Sequence, residues 1–299
     1  MLLENGLNPA PFFQGVVLPT EDNWQVQTVL KKHYCFSTGL MRQVKNNGLL
    51  LVNKKQVPFT IFVKAWDRIE IFLFHKTKVE PENLPLDIRY EDNEVLVINK
   101  PAGQVVHPRH QYVTGTLANG IAGYLKRHKE QPSSYLINRL DKGTSGLLLA
   151  AKNPLAAVIL SQEISQINRE YLALVSGDLN ANEGIIKLPI YTSQASIKRV
   201  IASEGKASTT RYVVLKRYTN CTLLRLSLES GRTHQIRVHL SAIGHPILGD
   251  FLYGELVDGL QRPLLHASFI SFSHPKTGVR CRVEAPLPDD FQNYLKARP

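Results

Sequence analysis

The apolar positions change their period along the chain, and each change marks an element. Between residues 26 and 46, Val26, Val29, Leu30, Tyr34, Leu40, Met41 and Val44 recur at helical spacing with Lys and Arg between them, until Gly48 ends the pattern. Short strands are predicted at 49–52 and 57–63, and Ile69-Glu70-Ile71-Phe72-Leu73 alternates as a half-buried strand does. Residues 76–87, with Pro81 and Pro85 among mixed charges, have the composition of a linker.

Beyond residue 86 strands dominate. The apolar run at 95–98 is closed by Lys100-Pro101-Ala102-Gly103, where Pro and Gly impose a turn. A helix is predicted at 117–125. The unbroken apolar run at 147–151 suits a buried strand; Asn153 as N-cap and Pro154 in the first turn then open a helix to about 166. Residues 171–175 read as a buried strand ending at Gly177, and 209–217 pairs with 221–228 across Tyr218-Thr219-Asn220. A helix at 233–243 stops at Gly244-His245-Pro246. Strands at about 267–273 and 279–284 precede Pro286, Pro288 and a short terminal helix. Many strands with few helices between them predict an α+β class: a mixed, mostly antiparallel sheet with flanking helices over 81–299, preceded by a small α/β module over 1–80.

Composition narrows the partners more than the fold. At 299 residues, 43% hydrophobic and 20% charged, the chain has the make-up of a globular protein with ample core. No apolar run approaches the roughly 20 residues that span a bilayer, and Met1-Leu2-Leu3-Glu4-Asn5-Gly6 lacks the layout of an export signal, so a cytoplasmic location without membrane contact is expected. The net charge of +11 favours a polyanion, and it is spread: ten Lys/Arg against seven Asp/Glu over 1–85, 26 against 18 thereafter. Cys35, Cys221 and Cys281 form no Cys-x-x-Cys pair, which speaks against disulfide or zinc scaffolds and for three reduced thiols.

Candidate chemistry concentrates in two places. Asn138-Arg139-Leu140-Asp141-Lys142-Gly143-Thr144-Ser145-Gly146 sets one carboxylate beside two cations in a turn framed by glycines. Leu140 and the run after Gly146 anchor that turn on both sides, while Gly143 and Gly146 allow backbone angles that other residues resist. Alone, Asp141 is indistinguishable from a turn aspartate bonded to its own backbone. The second place is Gly231-Arg232-Thr233-His234-Gln235-Ile236-Arg237-Val238-His239. In a helix starting near Thr233, that residue shares a face with Arg237 and Leu240, and His234 also aligns with Arg237. If this face meets Asp141, the guanidinium favours the ionised carboxylate.

These segments, with Arg169-Glu170-Tyr171-Leu172-Ala173-Leu174-Val175 and the continuation Gly244-His245-Pro246-Ile247-Leu248-Gly249-Asp250, closely resemble the motif regions of the RluA/RluD-type pseudouridine synthases. Lys100-Pro101-Ala102-Gly103, His107-Pro108, Leu265-His266-Ala267 and His274-Pro275 extend the resemblance over roughly 86–290, in the family's order. It implies that Asp141 is the catalytic carboxylate. It further implies that Tyr171 stacks near the target uracil and serves as, or positions, the base at carbon 5. Arg237 would pair with Asp141 and balance charge developing on the uracil. Arg139 would enter the space vacated by the flipped nucleotide, with Arg232 and His234 as further RNA contacts. The family's usual His before Arg-Leu-Asp is replaced by Asn138. Residues 27–75 resemble the alpha-L RNA-binding module of the S-four type, with Arg42 and Lys45 on its helix, although Lys54 and Trp66 stand where that module has glycines.

The implied reaction is an isomerisation that calls for no cofactor and no metal. Asp141 either attacks the anomeric carbon or removes the neighbouring ribose proton, and the residues are compatible with both. The expected function is pseudouridine formation in structured RNA, ribosomal favoured over transfer RNA, by a monomer without a protein partner. The alternative is a non-catalytic RNA-binding or ribosome-assembly factor on the same fold. A phosphate-handling hydrolase lacks a P-loop and clustered metal carboxylates.

Overall fold

The computed structural model describes residues 11–73, 79–109, 111–130, 135–193 and 196–298. Its first part builds strands β1 (Phe13–Val16), β2 (Trp24–Gln25), β3 (Gly48–Val52), β4 (Lys55–Gln56), β5 (Phe62–Val63) and β6 (Arg68–Leu73), with helices α1 (Val26–Lys32) and α2 (Thr38–Asn47). The sheet order is β1-β6-β3-β4, and β2 pairs with β5. Helical periodicity runs unbroken through 26–46, yet the helix divides. Cys35 adopts a left-handed φ of 55°, and the Ser37 side chain accepts from the Leu40 N–H as the N-cap of α2. Phe36 still reaches the same core as Leu30 and Leu40, which is why the pattern does not show the break. The strand expected at 57–63 is reduced to Phe62–Val63, because Pro58 has no N–H and its carbonyl accepts from Ile61 in a turn. Lys54 and Trp66 take φ values of 65° and 72°, so the turn geometry usually supplied by glycine persists without it. Part of the linker expected at 76–87 lies outside the described residues.

The second part continues with β7 (Ile88–Glu91), β8 (Val95–Lys100), α3 (Leu117–Arg127), β9 (Tyr135–Leu136), β10 (Ser145–Ala151), α4 (Pro154–Gln162), β11 (Asn168–Ser176) and β12 (Glu183–Lys187). Then come β13 (Ile190–Thr192), β14 (Arg199–Ile201), β15 (Thr209–Tyr218), β16 (Cys221–Leu228), α5 (Gln235–Ala242), β17 (Leu265–Ser273), β18 (Arg280–Glu284) and α6 (Asp289–Lys296). Ten strands form one sheet of order β12-β15-β16-β11-β17-β10-β8-β7, with β18 added to β17 and β9 to β10. All of its pairings are antiparallel except β10 with β17. The fold class is therefore α+β with a mostly antiparallel sheet, as the pattern predicts.

The unbroken apolar run in β10 has a direct cause: both faces of the strand are covered. Leu148 and Ala150 point into a core with α3 and α5, whereas Leu147, Leu149 and Ala151 pack against α4 and β18. At the start of β10, Gly146 has φ 113°, and a Cβ there would sit 2.2 Å from the Ala267 carbonyl oxygen. This close parallel approach to β17 requires glycine. Gly143, by contrast, has no left-handed backbone; what it provides is close packing against Pro263. No helix among the described residues is long and apolar enough to cross a membrane.

Candidate active site

Asp141 stands in the turn between β9 and β10, and three sets of bonds fix the main chain of that turn. Asn138, 8% exposed, accepts from the Leu149 N–H at 2.7 Å and donates to the Leu147 carbonyl, so it ties the approach segment to β10. An amide can both donate and accept at once, and Asn138 uses both capacities here. Lys100, fully buried, donates to the carbonyls of Pro101, Gln104 and Lys142. Burial drives its ammonium down to about 7, against the pull of the Asp141 charge. Arg262 donates to the Gly143 carbonyl and to Ser145 Oγ while its other nitrogens grip Asp290 of α6 at 2.6 and 2.7 Å.

In front of the turn lies α5. Its start differs from the helix expected at Thr233: His234 is left-handed at φ 59°, so helical geometry begins at Gln235. The buried Gln235 side chain accepts from Ser230 Oγ and the Arg232 N–H, and donates to the Thr209 carbonyl and Thr210 Oγ1. That one side chain fastens the Gly231-Arg232-Thr233 loop to β15. Thr233 and Arg237 therefore do not share a helical face, yet the loop still delivers His234 to the site.

Arg237 Nη1 lies 3.4 Å from Asp141 Oδ2, which is the pairing that the resemblance implies. Its stronger partner is Asp250, 0% exposed, which accepts from Nε and Nη2 at 2.7 Å each. Burial opposes the charge on Arg237, but the bonds to Asp250 and the field of both carboxylates outweigh it and hold the guanidinium above its ordinary range. Asp250 is itself fixed by the N–H groups of Leu252 and Tyr253. The Tyr253 hydroxyl meets His234 Nδ1 at 2.9 Å and accepts from the Arg199 N–H at 2.7 Å, while His234 Nε2 sits 3.8 Å from Asp141 Oδ2. Burial keeps His234 below its usual range despite Asp141, with Arg237 adding to the depression.

Two cavities open on Asp141, of about 550 and 620 Å³. Both fall within the roughly 300–1,000 Å³ typical of ligand sites. Arg139, His234 and Arg237 line both. The first also holds Tyr171, Arg169 and Arg232; the second holds Tyr112, Lys142 and the exposed Phe251. Tyr171 is 6% exposed, and burial pushes its phenol up, with Asp141 adding and Arg169 opposing. Arg139 and Arg232 are exposed at the cavity. Thus Asp141, Tyr171, Arg237, Arg139, Arg232 and His234 come together. Arg42 and Lys45 do not: both are exposed on α2 and line neither cavity, with the Lys45 ammonium 5.3 Å from the Phe59 ring. Sequence reasoning assigned no role to Asp250, Tyr253, Arg169 or Lys100. Asp250 and Arg169 lie inside the quoted motifs, and Arg169 stands two residues before Tyr171, the spacing of one strand face.

A model of the RNA pseudouridylate synthase family matches residues 94–242. The uncharacterized RNA pseudouridine synthase YhcT of Bacillus subtilis is 37% identical over 283 residues, covering 92% of this chain and 94% of that protein. Ribosomal large subunit pseudouridine synthase D of Haemophilus influenzae is 38% identical over 256 residues, 79% of this chain and 78% of that protein. Among solved structures, human RNA pseudouridylate synthase domain containing 1 aligns with a TM-score of 0.56 at 27% identity, over 75% of this chain and 97% of that one. An Asp–Arg–Asp arrangement facing two cavities, on a fold and sequence shared with these proteins, fits what they show: the chain belongs to the RluA/RluD-type family of RNA pseudouridine synthases, isomerases that act on RNA.

Proposed function

We propose that Asp141 is the catalytic carboxylate of this enzyme and that its target is a uridine in structured ribosomal RNA rather than transfer RNA. The observation that carries the assignment of Asp141 is its place between two cavities, side chain 19% exposed, with Arg237 Nη1 at 3.4 Å. The preference for ribosomal RNA draws on relatives named for the large ribosomal subunit.

The everted uridine enters the cavity of Tyr171, whose ring packs on the base, while Arg139 takes the space it leaves. Extrusion costs roughly a few kcal/mol, less in a loop. Exposed cations such as Arg232 offset it by gripping phosphates. His234, half-buried between Asp141 and Tyr253, faces the carboxylate and orients it as well as meeting RNA. Asp141 then either bonds to the anomeric carbon or takes the neighbouring ribose proton, and the uracil departs as an anion.

We divide the chain into a module over 1–80 and a catalytic domain over 81–299, since the buried core of the first part shares no residue with those of the second. In the module, Arg42 and Lys45 serve as an outlying RNA contact. A cytoplasmic monomer completes this reading. The test is to map pseudouridines in ribosomal and transfer RNA from a deletion strain, then restore wild type or Asp141→Asn. A ribosomal site lost on deletion and restored by wild type alone is expected. A site in transfer RNA would refute the target, and restoration by Asp141→Asn would refute the carboxylate.

A further inference from the structure

The three guanidinium nitrogens of Arg237 are all engaged by carboxylates: Nε and Nη2 by Asp250, Nη1 by Asp141. Set between two negative charges, this cation has none to spare for a third. The reaction nevertheless generates one. When the bond between uracil N1 and ribose C1′ breaks, both electrons leave with the base, giving a uracil monoanion with its charge spread over the ring nitrogens and carbonyl oxygens. That charge persists until C5 bonds to C1′. The C5 proton then passes to a base and N1 gains a proton, so the product is neutral and of unchanged composition. In a site screened from water, an anion of this kind needs a cation already in place.

The first cavity holds such a cation. Arg169 on β11 lines it together with Tyr171 and Asp141. It is 9% exposed, its Nε is buried without a hydrogen-bond partner, and it has no ion-pair partner among the described residues. The Gly231 loop is shaped around it: a Cβ at Gly231 would lie 3.3 Å from Arg169 Nη1. A guanidinium set without a counter-charge beside an enclosed cavity is favoured by an anion bound next to it. The exposed Arg232 suits a phosphate, which stays bathed in solvent, and Arg139 fills the space the base leaves; the sequestered Arg169 suits a charge that exists only after the base has been enclosed.

We propose that Arg169 contacts the detached uracil and carries its negative charge, as a catalytic residue distinct from Arg237, which holds Asp141. The inference rests on the reading of Asp141 and the cavity given above. Its test uses total RNA, labelled with tritium at uracil C5, from cells lacking the protein, under single-turnover conditions with saturating full-length enzyme. Tritium release by wild type checks the underlying reading; no release would sink that reading and this inference together. With wild type active, Arg169→Gln should release tritium about 10²- to 10³-fold more slowly, with RNA affinity and melting temperature near wild type. Arg169→Lys, which keeps the charge, should recover at least tenfold of that loss. A Gln variant within threefold of wild type overturns the proposal. So does a loss expressed as weaker RNA binding with a shallower salt dependence, which would assign Arg169 to a phosphate. Should the Gln variant fail to fold, the Lys variant decides: a loss within about a hundredfold of wild type, with RNA affinity unchanged, is expected if charge is what matters, and a larger loss overturns the inference.

Discussion

Replacing Arg237 by Lys separates what Arg237 does for the fold from what it does for Asp141. The guanidinium makes two parallel bonds of 2.7 Å to Asp250 and one contact of 3.4 Å to Asp141. A lysine ammonium is a point charge and cannot span both carboxylates. It keeps one bond to the buried Asp250 and gives up the other, a charge-assisted bond worth about 1.5–3 kcal/mol net. At roughly 2–4 °C per kcal/mol for a large domain, melting should fall by about 3–12 °C. The Asp141 contact is lost as well. Contacts that are long in a free enzyme commonly tighten in its complexes, so removal of this one should lower kcat at least about tenfold, the equivalent of ~1.4 kcal/mol. Asp250→Asn is the counterpart: it weakens the bidentate pair but leaves Nη1 facing Asp141, so its melting temperature should suffer more than its kcat. Calorimetry and single-turnover tritium release on the same preparations measure both quantities. Wild-type kcat in Arg237→Lys, or a larger loss of kcat in Asp250→Asn than in Arg237→Lys, would refute this division.

Three further outcomes are expected. Asp141→Asn should abolish pseudouridine formation while RNA affinity in a filter-binding assay stays within a few-fold of wild type, because affinity is mostly phosphate-driven. Lys100, lowered from 10.5 to about 7 in the folded chain, binds fewer protons folded than unfolded between those values. Stability of wild type relative to Lys100→Met should therefore rise with pH across that window, by up to about 1.4 kcal/mol per unit, and parallel denaturation curves would contradict the burial argument. Asn138→Ala leaves the buried Leu149 N–H without its 2.7 Å acceptor, so chemical denaturation should show a loss of about 1–3 kcal/mol.

The sequence carried the architecture wherever burial was one-sided or complete over several residues. The run in β10 was visible because both of its faces are covered, and the alternation in β6 because one face is. Two-residue strands such as β2, β4, β5 and β9 have no period to detect. Helical spacing also hid the break between α1 and α2, since the residues across it fill the same core. At the site, facing geometry alone placed Thr233 on the helix, which the left-handed His234 forbids. What joined Asp141 to Arg237, 96 residues later, was the family resemblance. Asp250 had no visible role because a charged residue in a Gly-Asp turn ordinarily faces water; in the structure it is fully buried and paired with Arg237. Arg169 was legible in principle, since a strand places it on the face of Tyr171, but a lone strand arginine carries no signal until the absence of a counter-ion is known.

The bonds around Asp141 also show which residues set its position. The carbonyls of Lys142 and Gly143, flanking it on one side, are held by Lys100, the Gly103 N–H and Arg262, and Asn138 fixes the other side to β10. All of these bonds are made to main-chain atoms and none to the carboxylate. Arg237 approaches the carboxylate itself, and at 3.4 Å it is not the tightest contact in the group. The backbone therefore places Asp141, whereas Arg237 and His234 set the direction in which its oxygens point. Placement through main-chain bonds survives a change of charge on the side chain. This is why Asp141→Asn tests chemistry with little risk to the fold.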